Sequence, residues 1–511
     1  AVTAAMNYAV SSGKSIYFPS GEYLLLTWTT FTSTSELCIT GSSALIKGPV
    51  TPDLSKRFLK PQAKFTLDGI KFDRWSHVVR ADDIDIGDLS GSVFSNNTVS
   101  GCVNQAIRIT RHYDSLRISD NLFTNNTGGI VVYLGINTNA GQANWKNAVV
   151  SNNTFQDTSG TGNTSTAAIM NNGIYSTITG NRIRNVTSET GEAWGIYTKN
   201  LHSTVSNNIV SGVNASGAQQ EVVGISIQGA NRATVNSGTQ GFSVVVAGNV
   251  VHTIGQQGIK GTGIRVQQSD VLVVGNRAED CGVFNINVDD YNTCTDVIVS
   301  HNMTRQFNFS PSAAALNISS VGERFSVIGN IFQGGNKAIS IGAVAGQLAS
   351  VRISENQLIH QIGGGGVVFD NFGTLSALSI TANTFDAVGG GTCIKAGTLG
   401  TITDSEVTNN NFSAAVAAGS TVKSAGINTA FRDNRGYVTR IAGTVTVPTG
   451  GGGLVVNHGL AGAPVCVTAT PISQAATVQV HNITSTTFTL IHGLWSSVEV
   501  CWSAVTADEF N

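Results

Sequence analysis

The chain has 511 residues, a formal net charge of −2, 41% hydrophobic and 12% charged residues, and 58 glycines. That is ample apolar material for a long core, with too few charges for an array of solvated helices. No Lys/Arg run offers a footprint for nucleic acid or an anionic membrane, and no stretch approaches the ~20 apolar residues of a spanning helix. With 8 prolines and 3 methionines among many Asn, Ser, Thr, Val and Ile, the class is all-β, short strands joined by tight turns.

Residues 1 to about 66 contain AAMNYAVSSGKSIYFPSGEYLL, an amphipathic segment followed by a strand, a Pro-Ser-Gly turn and a second strand. This reads as an N-terminal cap on the elements that follow. From 67 to 440 a pattern recurs: an alternating apolar strand, an asparagine, then another apolar strand. Examples are FSNNTV, VSNNTF, ITGNRI, VAGNVV, VIGNIF and ITANTF. The aligned asparagines run from Asn97 and Asn121 through Asn181, Asn208 and Asn249 to Asn410 and Asn434, at steps of 24 to 41 residues. A further strand precedes each, as in AIRI, GIYT, GISI, GIRV and AISI.

Strands this short cannot bury a face alone, so each coil must stack on the next, and the expected fold is a right-handed single-stranded parallel β-helix. The repeated Asn suits a turn that needs left-handed backbone and a ladder of amides hydrogen-bonded from coil to coil. That is a structural role. From about 441 to 511 the period is lost, and TVTVPTGGGGLVV, PVCVTATPI, TFTLIHG and VEVCWSA predict a separate small β-sandwich. The seven cysteines have no CxxC spacing and read as buried free thiols of a protein folded in a reducing cytosol, while the nine histidines lack metal spacing. No metal or cofactor is implied.

The cap, with Phe18-Pro19-Ser20-Gly21-Glu22-Tyr23, resembles the start of the pectate-lyase-like domain of bacteriophage tailspikes. The C-terminal VNHGLAGAP, VTATP, TFTL and VEVCWSA resemble a small domain common at the ends of such spikes. The resemblance implies a homotrimer on the virion tail, folded in the bacterial cytoplasm, that binds and cleaves capsule or O-antigen. It also implies an anchor to the rest of the tail lying before residue 1, and a trimerisation or carbohydrate-binding role for residues 441–511. It transfers no catalytic residue. The Asn-Thr-Asp and Arg-Ile-Lys motifs of polygalacturonases, the Trp-Ile-Asp-His of calcium pectate lyases and the Asp-Pro-His-Asp of alginate epimerases do not occur, so those plant-polysaccharide readings fall.

Aligning the coils places Arg108, Val131, Met170, Tyr197, Ser226 and Arg265, onward to Lys395, in one outward column. Glu192 and Glu221 then occupy equivalent places on successive coils, with backbones ~4.8 Å apart. Paired carboxylates suit glycoside hydrolysis, since like charges this close raise one pKa and supply a protonated acid beside an ionised partner. Trp194 and Tyr197 are expected to stack on sugar rings, and Lys199, Lys260 and Arg265 to hold an acidic sugar's carboxylate. The competing reading of the pair is a solvated surface feature. Asp289, Asp290 and Asp370 are the second choice for the catalytic acids, and Asp82, Asp83, Asp85 and Asp88 are expected to mark turns. A lyase using Lys260 or a tyrosine as base with Arg265 neutralising a uronate, and a glycan-binding adhesin without turnover, are the alternative functions.

Overall fold

The computed structural model describes residues 2–25, 29–49, 57–82, 87–136, 145–161, 165–199, 202–216, 221–228, 243–255, 261–289, 294–306, 313–319, 322–342, 347–361, 364–370, 373–386, 388, 392–396, 401–413, 421–423, 429–449, 451–473 and 475–509. The chain divides into two compact units, Ala1–Val321 with Phe332–Ile339 and Gly322–Ile331 with Ser340–Asn511. Both contain stacked parallel strands, and the fold is the parallel β-solenoid that the repeat predicts. Among the described residues, no helix is long and apolar enough to cross a membrane.

The first unit opens with helix α1 (Val2–Ser12), whose Val2, Met6 and Ala9 are buried. Gly13 ends it in left-handed backbone, its N–H bonded to the Ala9 carbonyl at 2.8 Å, as a glycine past a helix end does. The strands Ile16–Phe18 and Glu22–Leu24 both pair in parallel with Leu37–Lys47. Between them the Tyr23 hydroxyl donates to the Pro19 carbonyl at 3.0 Å and closes the Pro-Ser-Gly turn.

One coil shows how the repeat is used. Ala193–Thr198 pairs with Val222–Gln228, Thr204–Ser206 with Val244–Ala247, and Ile209–Ala215 with Val250–Ile254. Ile196, Val205, Val210 and Val213 are fully buried between these strands. Each contributes roughly 1.5–3 kcal/mol of transfer free energy, but only because neighbouring coils cover it. The small residue that opens the Gly-Ile strands has a steric cause. A Cβ on Gly195 would lie 2.6 Å from the Gly224 carbonyl oxygen, one on Gly224 2.7 Å from that of Gly263, and one on Gly263 2.5 Å from that of Asn285. At these positions coil approaches coil backbone to backbone.

The asparagine ladder forms within each unit. The Asn181 backbone N–H and side-chain amide both donate to Asn208 Oδ1, at 3.0 and 2.9 Å, and Asn208 donates in the same way to Asn249. The Asn208 amide also donates to the Ile178 carbonyl at 2.9 Å. In the second unit the ladder runs Asn330, Asn356, Asn383, Asn410, Asn434. These amides are buried and fully engaged, which makes the ladder a polar core in its own right. The left-handed residue at the turn, however, is the one before the ladder. Asn96, Asp120, Asn152, Gly180, Asn207, Gly248, Gly275 and His301 have φ between 53 and 68°. The ladder asparagine needs its side chain turned inward, so the preceding, solvent-facing residue takes the reversal.

In the second unit, Arg440–Val447, Val498–Thr506 and Pro464–Pro471 form one antiparallel sheet, and Leu454–Asn457, Thr487–His492 and Val478–His481 another. Val447, Phe488, Leu490, Val500 and Trp502 fill the core between them. All seven cysteines are free, but Cys466 and Cys501 are exposed. Cys38 is only partly buried, and the expectation of buried thiols fails outright at Cys501, on the solvent side of an alternating strand, and at Cys466, where the pairing register shifts after Pro464.

Replacing Asn208 by Ala takes the acceptor from the buried Asn181 backbone N–H and the donor from the Ile178 carbonyl, while the Asn181 amide keeps the Val150 and Thr179 carbonyls. At roughly 1–3 kcal/mol each, the loss should be about 3 kcal/mol or more, read as a lower midpoint in guanidinium chloride. An unchanged midpoint would mean that the ladder is incidental to stability.

Candidate active site

The outer face of one sheet in the first unit carries two columns of side chains. Strand register aligns Arg80, Arg108, Tyr133, Met170, Tyr197, Ser226, Arg265, Asn287 and Asn317. Tyr133 stands where Val131 was expected, because Val132, not Ile130, is the side chain in register with Ile107 and Ile169. The second column, three residues earlier, runs Ala167, Trp194, Val223, Thr262, Phe284 and Ala314. Val223, Thr262 and Phe284 share a pocket with Arg265 and Asn287, so both columns line one face, with the strand bending at the intervening glycines.

Glu192 and Glu221 immediately precede the paired residues Ala193 and Val222, and so stack on neighbouring coils. The Ala193 N–H donates to the Glu221 carbonyl at 2.9 Å, and the Thr166 N–H to the Glu192 carbonyl at 2.8 Å. Arg265 reaches across from the next coil. Its Nη1 donates to Glu221 Oε1, and its Nε to Asp289 at 2.8 Å (Oδ1) and 3.1 Å (Oδ2). The Arg265 side chain is 7% exposed, that of Glu221 31% and that of Asp289 24%. Glu221, Arg265 and Asp289 open on a cavity of about 230 Å³ also lined by Val223, Thr262, Phe284 and Asn287.

This arrangement divides the carboxylates by their electrostatics. Burial, then the charge of Glu221, pushes the Glu192 carboxyl above the ordinary range, against the opposing pull of Arg265 and a hydrogen bond from Ser165. Burial also raises Asp289, opposed by the bond and charge of Arg265 and by a bond from Asn287. Asn287 Oδ1 accepts from the Asn317 amide at 2.8 Å, which turns the donor end of Asn287 toward Asp289. Glu221 is thus held by a cation, while Glu192 keeps its proton more readily than a solvated glutamate. Among the described residues, no group of three or more His, Cys, Asp and Glu side chains converges as metal ligands do.

Several expected roles change. Trp194 and Tyr197 are each only 5% exposed, packed against one another with Met170 and Val223, and Tyr197 donates to Gln228 Oε1 at 2.7 Å. They form an apolar patch next to the acids in place of open stacking platforms, because the columns on both sides crowd them. Arg265, expected to meet a sugar carboxylate, is engaged by two carboxylates of the protein itself. The Lys199 backbone N–H donates to the Asn171 carbonyl at 3.1 Å. Lys260 and Asp290 lie outside the described residues. Asp370 belongs to the second unit, where it accepts from the Ser340 hydroxyl at 3.3 Å. Asp88 does mark a turn, accepting from the Ser90 N–H at 2.9 Å, but Asp82 is the centre of an arginine cluster. Asp83 and Asp85 lie outside the described residues. Phe284 and Asn317 were not expected at the site. Continuing the columns one and two coils past Arg265 finds them.

No family model and no curated protein sequence matches this chain. Solved structures do. A mutant tailspike protein of E. coli bacteriophage HK620 in complex with a pentasaccharide aligns with a TM-score of 0.58 and 14% identity, over 99% of this chain and 89% of that one. Another mutant of the same tailspike, in complex with a hexasaccharide, aligns at 0.56 with the same identity and coverage. The fold is that of a phage tailspike. At 14% identity the likeness is one of architecture, extending over both units.

Because the folded state raises the Glu192 pKa, ionising it penalises the fold at pH values above the ordinary glutamate range, and the penalty vanishes below about pH 4. Glu192→Gln should therefore melt at or above the wild-type temperature at pH 7, with the difference closing toward pH 4. A variant that melts lower at both pH values would refute this electrostatic picture.

Proposed function

We propose that the chain is a tailspike depolymerase that binds a bacterial surface polysaccharide, capsule or O-antigen, and hydrolyses its glycosidic bonds. The observation that carries the reading is the stacking of Glu192 on Glu221, the carboxyl of one raised by burial and repulsion, the other paired with Arg265. In this account Glu192 protonates the leaving oxygen, and Glu221 acts as nucleophile or as the base that activates water. Asp289 anchors Arg265 from the far side and keeps its guanidinium aimed at Glu221. The apolar patch of Met170, Trp194, Tyr197 and Val223 beside the acids lowers the local polarity and favours the protonated form of Glu192. The tailspike fold, found in a protein solved with bound oligosaccharides, supports a glycan as ligand and a place on the virion tail. A spike on a symmetric tail calls for a homotrimer.

Glu192→Gln and Glu221→Gln should each lower kcat by roughly 10²- to 10⁴-fold or more while leaving glycan affinity and fold in place, because Gln keeps the shape but neither donates nor takes the proton. Fragment release from a capsule panel, read by mass spectrometry beside binding isotherms, checks this. Wild-type turnover in both variants would return the acids to a solvated surface role, and products carrying the ultraviolet absorbance of an unsaturated uronate would make the enzyme a lyase. Light scattering should give three times the 53.1 kDa chain mass, and a single chain's mass would contradict the trimer.

A further inference from the structure

On the same sheet face, toward the N-terminal end of the first unit, Asp82 accepts from three arginines. Arg57 Nη1 lies at 3.1 Å, Arg80 Nε at 3.0 Å and Arg108 Nε at 3.1 Å. Arg80 and Arg108 are in register on adjacent strands, with backbones ~4.8 Å apart, and like charges directly opposite one another repel. Lys60 follows Leu59, which pairs with Val79, and so falls in the same column. One carboxylate with both oxygens occupied offsets only part of the charge of the three arginines. Arg80 and Arg108 spend their Nε on Asp82, and among the described residues their terminal nitrogens have no hydrogen-bond partner. These side chains remain 28% and 32% exposed, and the Arg108 guanidinium lies over the Tyr133 ring, 5.2 Å from its centroid, which fixes its plane. The terminal nitrogens of arginine form the planar fork that takes a carboxylate with two parallel hydrogen bonds.

We propose that Arg80 and Arg108 form a subsite for a carboxylate-bearing sugar, so that the substrate is an acidic polysaccharide lying along the outer column of the sheet. The column continues through Tyr133, Met170, Tyr197 and Ser226 to Arg265, five strand steps or roughly 24 Å away. A glycan bound along it therefore has its anionic residue several sugars from the bond that is cut. The inference rests on the reading that glycan occupies this face. It differs from the sequence expectation in placing the anion on arginines remote from the acids, since Arg265 is committed to Glu221 and Asp289.

The test uses purified bacterial capsular polysaccharides, each native and after carboxyl reduction, which turns the sugar carboxylate into a neutral alcohol. The wild type should bind its native glycan about tenfold or more tightly than the reduced form, and Arg80→Gln with Arg108→Gln should abolish that difference with little change in kcat. Asp82→Asn guards against mere loss of fold. It removes the competing anion and should tighten binding of the native glycan, whereas a purely structural ion network would lose melting temperature with no gain in affinity. Equal binding of native and reduced glycans, a best substrate without an anionic sugar, or wild-type discrimination in the double arginine variant overturns the proposal. Arginine-dependent discrimination with no fragments released leaves the subsite standing and tells against hydrolysis instead.

Discussion

The spacing between parallel coils, about 4.8 Å and held in register, is the constraint on which everything else in this molecule depends. It is enforced from within. A buried asparagine in each coil saturates its hydrogen bonds with the coils before and after it, and glycines at the bend of the outer strand let backbone meet backbone. A one-residue slip would break the ladder and drive a Cβ into a neighbouring carbonyl at the same time. With register fixed, sequence position becomes location, and side chains one repeat apart must face one another across a few ångströms. The chemistry of such an array arises from what stacks on what.

Stacking two glutamates would be unfavourable if nothing relieved it. Arg265 does so from the next coil, and Asp289 and Asn287 hold Arg265 in turn, so one guanidinium is shared by two carboxylates through a chain of contacts running along successive coils. The balance is asymmetric. Glu221 receives the guanidinium directly, while Glu192 receives burial and repulsion. Two identical residues therefore sit in different electrostatic surroundings because of their coil neighbours. The N-terminal arginines follow a related logic with the opposite sign, stacking like charges in register against a single carboxylate. The same regularity that builds the acid pair thus builds a cationic stretch on the same face.

What could be read without coordinates follows this division between register and side-chain direction. The solenoid was legible because the ladder asparagine is specified locally and repeats. The Glu192 and Glu221 pairing was legible because register reduces to counting along the repeat. The left-handed backbone lies one residue before the repeated asparagine and is not legible, since the αL position tolerates Asn, Asp, Gly or His and so leaves no uniform mark. Trp194 and Tyr197 were expected to be open, but their burial depends on how Met170 and Val223 lean across the face, which no spacing reports. For the same reason Arg265 gave no sign in sequence that protein carboxylates would claim it, and Asp82 looked like a turn residue when three arginines distant in sequence meet on it. Tyr133, not Val131, takes the outward place because the inward Val132, and not the glycine before it, sets the frame of that strand.

The central claim is that this face cleaves glycosidic bonds by adding water with the two stacked glutamates. Digestion of the cognate polysaccharide in water enriched in heavy oxygen, followed by mass analysis of the fragments, tests it most directly. Hydrolysis predicts one heavy oxygen for each bond cut, carried by the new reducing end and not by the end that keeps the glycosidic oxygen, entering only when both Glu192 and Glu221 are present. Fragments that lack the label and are lighter by one water, or labelled fragments released equally by variants without either glutamate, would contradict it.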